Sequence, residues 1–160
     1  MKNFENITFY RIFFNLISLF ILGWCFLWNV NIFKETHIFA LILLIFYAYL
    51  YYKYGRNYTI NIIFGNIFIS LLSYAIPSIY IGLTFGTKIN PSFEEQLIIY
   101  SVGAMVVIFI FSFIWGAFIS FIPKRINVDT KITLKIRIKF FIISFVLTYL
   151  SFLLLHIIIN

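Results

Sequence analysis

Of the seven His and carboxylate side chains in this 160-residue chain, the threading described below puts five near the outer face, where they could converge on a metal ion: Glu35, His37, Glu94, Glu95 and His156. Imidazole and carboxylate together suit Zn²⁺, which takes three such ligands and a water in its catalytic sites. Their positions fit no fixed ligand spacing, so no metal site is expected. Covalent or acid–base catalysis would need a nucleophile with an orienting base, or two carboxylates within reach. The single Asp, Asp129, is separated from both His by the threading described below. No H-E-x-x-H, G-x-S-x-G or Gly-rich phosphate loop occurs. Cys25 stands alone, which excludes intrachain disulfides and multi-Cys metal sites. The chain is therefore expected to be no enzyme and to carry no cofactor.

The elements that would have to position those residues are almost purely apolar. Hydrophobic residues make up 63% of the chain and charged residues 11%, with a mean hydropathy of +1.04. An ordinary domain is about 45–50% apolar and about 25% charged. A soluble chain this short cannot cover so much apolar surface. Runs of about 20 apolar residues cross a hydrocarbon core of roughly 30 Å. The expectation is an all-α membrane protein, a single domain over residues 1–160. It forms a polytopic bundle of about five transmembrane helices, at roughly 12–33, 38–52, 58–85, 93–122 and 140–159. Four spans with a re-entrant third piece is the second reading.

Each run carries its own signal. The first exceeds a signal-peptide core and has no A-x-A site after it, so it reads as a retained helix. Its Asn15, Ser18, Cys25 and Asn29 share one face with Leu22. The second ends in Tyr47, Tyr49, Tyr51, Tyr52 and Tyr54 beside Lys53 and Arg56, an aromatic belt at headgroup level. In the third, Asn66, Ser70, Ser73 and Pro77 lie on one face and form a candidate cavity lining. Pro77 should kink or break that helix. Ser92 and Glu95 match a capping box and set the start of the fourth helix, which Pro123 ends. Ser112, Gly116 and Ser120 are overlapping small-x-x-x-small pairs that permit close helix packing. Ser144, Thr148 and Ser151 give the fifth helix a face that would suit that stripe.

Alternate sides of five spans collect very different charge. Lys2, Arg11, Lys53, Arg56 and six residues of the 124–139 segment fall on one side, and Lys34 and Lys88 on the other. Ten against two is a strong positive-inside bias. It places the N-terminus in the cytoplasm and the C-terminus outside. Lys124, Arg125, Lys131, Lys135, Arg137 and Lys139 are the topological anchor, a basic cytoplasmic loop set against anionic headgroups. Residues 131–139 also alternate polar and apolar. They read first as an early start of the fifth helix, and otherwise as a lipid-facing strand or a partner-binding edge. The net charge of +7 is spread over short gaps, not gathered into a surface that could track nucleic acid.

Transport by coupled ions would place ionisable groups at mid-depth, where none is expected here. What remains is a small, non-enzymatic, multi-pass protein of a bacterial inner membrane. It would act through helix contact with another membrane protein or with itself. In size, AT-rich residue choice and lack of catalytic parts the chain resembles small plasmid-borne inner-membrane proteins. These include immunity proteins against pore-forming bacteriocins and exclusion proteins of conjugative plasmids. The alternative is an oligomeric channel, carrier or lipid-handling subunit lined by the polar face of the third helix.

Overall fold

The computed structural model describes residues 2–27, 32–84, 92–122 and 132–159, and all its regular structure is helical. Five helices follow in order: α1 Lys2–Leu27, α2 Ile32–Tyr54, α3 Arg56–Thr84, α4 Phe93–Phe121 and α5 Leu134–Ile159. Three of them contain stretches long and apolar enough to cross a membrane, Arg56–Tyr80, Phe93–Phe121 and Leu134–Leu154. Thr8–Ile21 and Ile38–Tyr54 are shorter apolar stretches among the described residues.

The start of α4 follows from its sequence. The Ser92 hydroxyl accepts the Glu95 N–H at 3.4 Å, and the Ser92 N–H donates to Glu95 Oε2 at 2.6 Å. This is the expected capping box, with Glu94 and Glu95 at the positive end of the helix dipole. At the other end Ile122 is extended, as the residue before a proline must be. Between α2 and α3 a single residue reverses the chain. Gly55 has φ of 85°, a left-handed conformation that glycine adopts without a Cβ clash. Its N–H caps the Tyr51 carbonyl at 2.9 Å.

Helix limits differ from expectation at α1, which covers Lys2–Leu27 against 12–33, at α2, which already starts at Ile32 against 38, and at α5, while α3 keeps close to the expected 58–85. The helix α3 continues through Pro77 as one element of 29 residues, about 44 Å long. Proline denies a donor to the Ser73 carbonyl, and just beyond it the Ser78 hydroxyl contacts the carbonyls of Tyr74 at 2.7 Å and Ala75 at 3.0 Å. The helix α5 begins at Leu134, not at residue 140, so Lys135, Arg137 and Lys139 belong to its first two turns. The Thr133 carbonyl accepts the N–H groups of Ile136 and Arg137, which closes the first turn. Residues 134–139 are thus the early part of the last helix; Lys124, Arg125 and Lys131 lie outside the described residues.

The helices α3 and α4 form the central pair. Against it α1 lies along α4, while α2 and α5 pack on both central helices. Phe14, Phe39, Tyr47, Ile62, Ile63 and Ile108 are fully buried in the shared core. Two close approaches fix the outer helices. A Cβ on Gly116 would sit 2.7 Å from the Phe14 ring, so α1 can reach α4 only because 116 is glycine. A Cβ on Gly65 would sit 3.2 Å from the Arg137 stem. Arg137 touches Gly65 while Ser144, seven residues on, bonds to Asn66, so α5 crosses α3 instead of running beside it.

Candidate functional site

Four helices meet at one buried polar junction. Asn66 of α3 donates from Nδ2 to the Tyr47 hydroxyl of α2 at 3.0 Å and to Ser144 Oγ of α5 at 2.9 Å. Tyr47 Oη in turn lies 2.6 Å from Ser112 Oγ of α4. Donor logic orders part of the chain. Ser144 gives its proton to the Phe140 carbonyl at 3.0 Å, so it accepts from Asn66. Tyr47 accepts from Asn66, and either hydroxyl can be the donor in its contact with Ser112. All four side chains are fully buried, and Asn66 Oδ1 has no partner among the described residues. An orphaned buried acceptor costs about 1–3 kcal/mol, and interhelical bonds in membranes return about 0.6 kcal/mol on average. The junction is therefore better at fixing register than at adding stability.

The four residues expected to line a cavity divide along α3. Asn66 and Ser70 are buried, Asn66 in the junction and Ser70 with its hydroxyl on the Ile67 carbonyl at 3.0 Å. Ser73 and Pro77 are half-buried. Of the four, only Ser70 reaches the groove of about 280 Å³ between α3 and α4, whose other walls are Leu71, Tyr74, Met105, Val106, Phe109 and Ile110. Ser70, whose hydroxyl is already bonded to backbone, and Tyr74 are its only hydroxyl-bearing residues, and the rest of the lining is apolar.

The residues expected to mediate packing are all buried. Ser112 meets Tyr47 and Gly116 receives Phe14, so the small stripe of α4 faces α2 and α1. Ser120 bonds back to the Ala117 carbonyl. On α5, Thr148 and Ser151 donate to carbonyls of their own helix, at 2.8 Å and 2.7 Å. The two helices do touch, at Gly103 and Phe152. On α1, Ser18 donates to the Phe113 carbonyl at 2.9 Å, whereas the side chains of Cys25 and Leu22 and the whole of Asn29 lie outside the described residues.

Two arginines close the far end of α4. Arg11 Nε donates to the Ser120 carbonyl at 2.8 Å, with its guanidinium 5.7 Å from the centre of the Phe121 ring. Arg56 Nη1 donates to the Ile122 carbonyl at 2.9 Å. The last carbonyls of a helix lack intrahelical donors and carry partial negative charge. No basic residue lies in the last turn of α4, so α1 and α3 supply the cations. Sequence reasoning treated both arginines as topology markers. The missed signal was a helix that ends before a proline with no basic residue of its own.

Tyr47 also departs from expectation. It does not join the aromatic belt but sits in the junction, because its position on α2 faces inward, where it is fully buried, while Tyr49 two residues on is exposed. Tyr49 and Tyr54 do flank Lys53, whose Nζ donates to the Tyr49 hydroxyl at 3.1 Å and lies 5.3 Å from the Tyr54 ring centre. Glu95 is engaged in the cap of α4, and Glu94 is exposed. The side chains of Glu35, His37 and His156 lie outside the described residues, among which no cluster of three or more metal-ligating side chains occurs. Comparison with protein-family models, with curated proteins and with solved structures finds no match.

Proposed function

We propose that this chain works in a bacterial inner membrane as a small non-enzymatic protein, N-terminus inside, that binds another membrane component through helix faces. The observation that carries this reading is the division between inside and outside. Tyr47, Asn66, Ser112 and Ser144 bond to one another, so the polar groups that could have lined a path are used within the bundle. The outer surface is left to apolar side chains. Phe68, Leu72, Ile76, Ile79 and Leu83 follow one another at spacings of three and four along α3, all exposed, with Ile76 at 77% and Leu83 at 82%. Beyond Ser70 no described side chain of α3 is buried. A continuous apolar stripe along the exposed side of α3 is the surface a lateral partner would use.

Immunity against a pore-forming bacteriocin and exclusion of a conjugative plasmid are two activities that this reading includes. Both are tested by expressing the chain in a sensitive bacterium. The reading expects either survival of bacteriocin or a drop in plasmid acquisition, lost in an Ile76→Asn/Leu83→Asn variant that still inserts. Neither effect, together with solute flux through liposomes carrying the protein, would favour a channel or carrier instead. Such a pore would have to form between copies, since the α3–α4 groove is apolar and touches only Ser70 of the proposed polar lining.

A further inference from the structure

Among the described residues, the guanidinium pair at the end of α4 has no carboxylate beside it to offset its positive charge. Arg56 is only 5% exposed and Arg11 half-buried, and the two lie close enough to repel one another. Besides Arg11, the described titratable group facing Arg56 is the Tyr51 phenol. The described carboxylates, Glu94 and Glu95, belong to the opposite end of α4, about 38 Å away along a helix rising 1.5 Å per residue. Two charges thus face the helix C-terminus, whose dipole supplies only about half a negative charge. Each guanidinium has five N–H donors in a planar fork. The contacts to Ser120 and Ile122 use one nitrogen of each, and Arg56 Nε is buried with no partner among the described residues. Removing unpaired charge from water is costly unless a counter-charge is at hand. The pair is also within reach of the surface, because Phe121 and Ile122 beside it are exposed.

We propose that Arg11 and Arg56 form a seat for one phosphate group, bound at the junction of α1, α3 and the C-terminal end of α4. Guanidinium forks match phosphate oxygens in pairs, which a lysine cannot do. The phosphate is that of an anionic phospholipid headgroup or of free phosphate. The lipid source requires the membrane placement proposed above, but neither source depends on the partner-binding stripe of α3.

The test uses the full chain purified in mild detergent. Native mass spectrometry counts retained phosphatidylglycerol against phosphatidylcholine, and thermal unfolding is followed with and without inorganic phosphate. Wild type should keep one phosphatidylglycerol in preference to phosphatidylcholine, or be stabilised by inorganic phosphate if that is the source. Arg11→Gln should weaken this retention or stabilisation about tenfold, the loss of one charge-assisted hydrogen bond. Arg11→Lys keeps the charge, is the safer variant to fold, and should recover only part of the effect. Lys135→Gln, an exposed cation on another helix, should leave binding unchanged. Equal retention of the two lipids with no response to phosphate would overturn the proposal. So would an equal loss in Lys135→Gln and Arg11→Gln, which would mean general attraction to a basic protein.

Discussion

The ring of Phe14 on α1 fills the space that Gly116 of α4 leaves by having no side chain, with an added Cβ only 2.7 Å from the ring. This contact, with the Ser18 bond to the Phe113 carbonyl, seats α1 on the central pair. Replacing Gly116 by Leu should displace Phe14 and lower stability by about 1–3 kcal/mol, the usual range for overpacking. Thermal unfolding in detergent measures it. Phe14→Ala combined with Gly116→Leu should recover part of the loss, because the two changes share one space. An unchanged midpoint in Gly116→Leu would contradict the packing.

The Tyr47–Asn66 bond should show a measurable but modest coupling. In a double-mutant cycle, Tyr47→Phe and Asn66→Ala should couple by about 0.6 kcal/mol, within the range seen between membrane helices. Zero coupling would mean that the junction does not form. Asn66→Leu should be less damaging than two lost bonds suggest, since it also removes the orphaned Oδ1.

Arg56 should be more sensitive to substitution than Lys53, its near neighbour in sequence. Arg56→Gln takes the charge from the Ile122 carbonyl and should lower stability by about 1 kcal/mol, the scale of a cation at a partly buried helix C-terminus. Lys53→Gln loses only a fully exposed contact to Tyr49 and should leave the unfolding midpoint unchanged. Equal effects in the two unfolding curves would remove the capping role.

Where α5 crosses α3, Gly65→Ala brings a methyl group to 3.2 Å from three atoms of the Arg137 stem. That side chain is flexible, so the loss should be small, below about 1 kcal/mol. Gly65→Ile should push α5 away and cost about 1–3 kcal/mol. Cysteine cross-linking between α3 and α5 near these positions reads the displacement, and equal yields in all three proteins would argue against the crossing.

The proposed threading is open to reporter fusions. Fusions at Asn57 and Asn127 should report cytoplasm, and fusions at Lys88 and Asn160 the exterior. An exterior signal at Asn127 would invert the assignment that the basic residues imply.

The same side chains explain what was legible beforehand. Ser92 and Glu95 announce the start of α4 because a capping box is local chemistry, complete within four residues. The stripe at Ser112, Gly116 and Ser120 marks a packing face for the same reason, since helical periodicity decides which residues share a side. Periodicity does not say which helix arrives there, and Phe14 and Tyr47 were not readable as the partners. At α5 the first reading of residues 131–139, an early start of the last helix, agrees with the helix from Leu134, although the basic side chains had set the span itself at 140; long basic side chains can leave a helix sideways while its backbone stays bonded. At α3 the expected range of 58–85 already ran through Pro77, and the helix carries the proline without ending there. Tyr47 resembled its neighbours in type and differed only in facing inward.

The central claim is that the polar groups of this bundle are spent inside it and that the outer stripe of α3 meets a protein partner. Site-specific photo-cross-linking from Ile76 in the intact bacterial membrane tests it most directly. The account predicts one discrete protein adduct from Ile76, also formed from Ile79 and Leu83, and absent from the fully buried position Tyr47. Lipid adducts alone at all three exposed positions would contradict it.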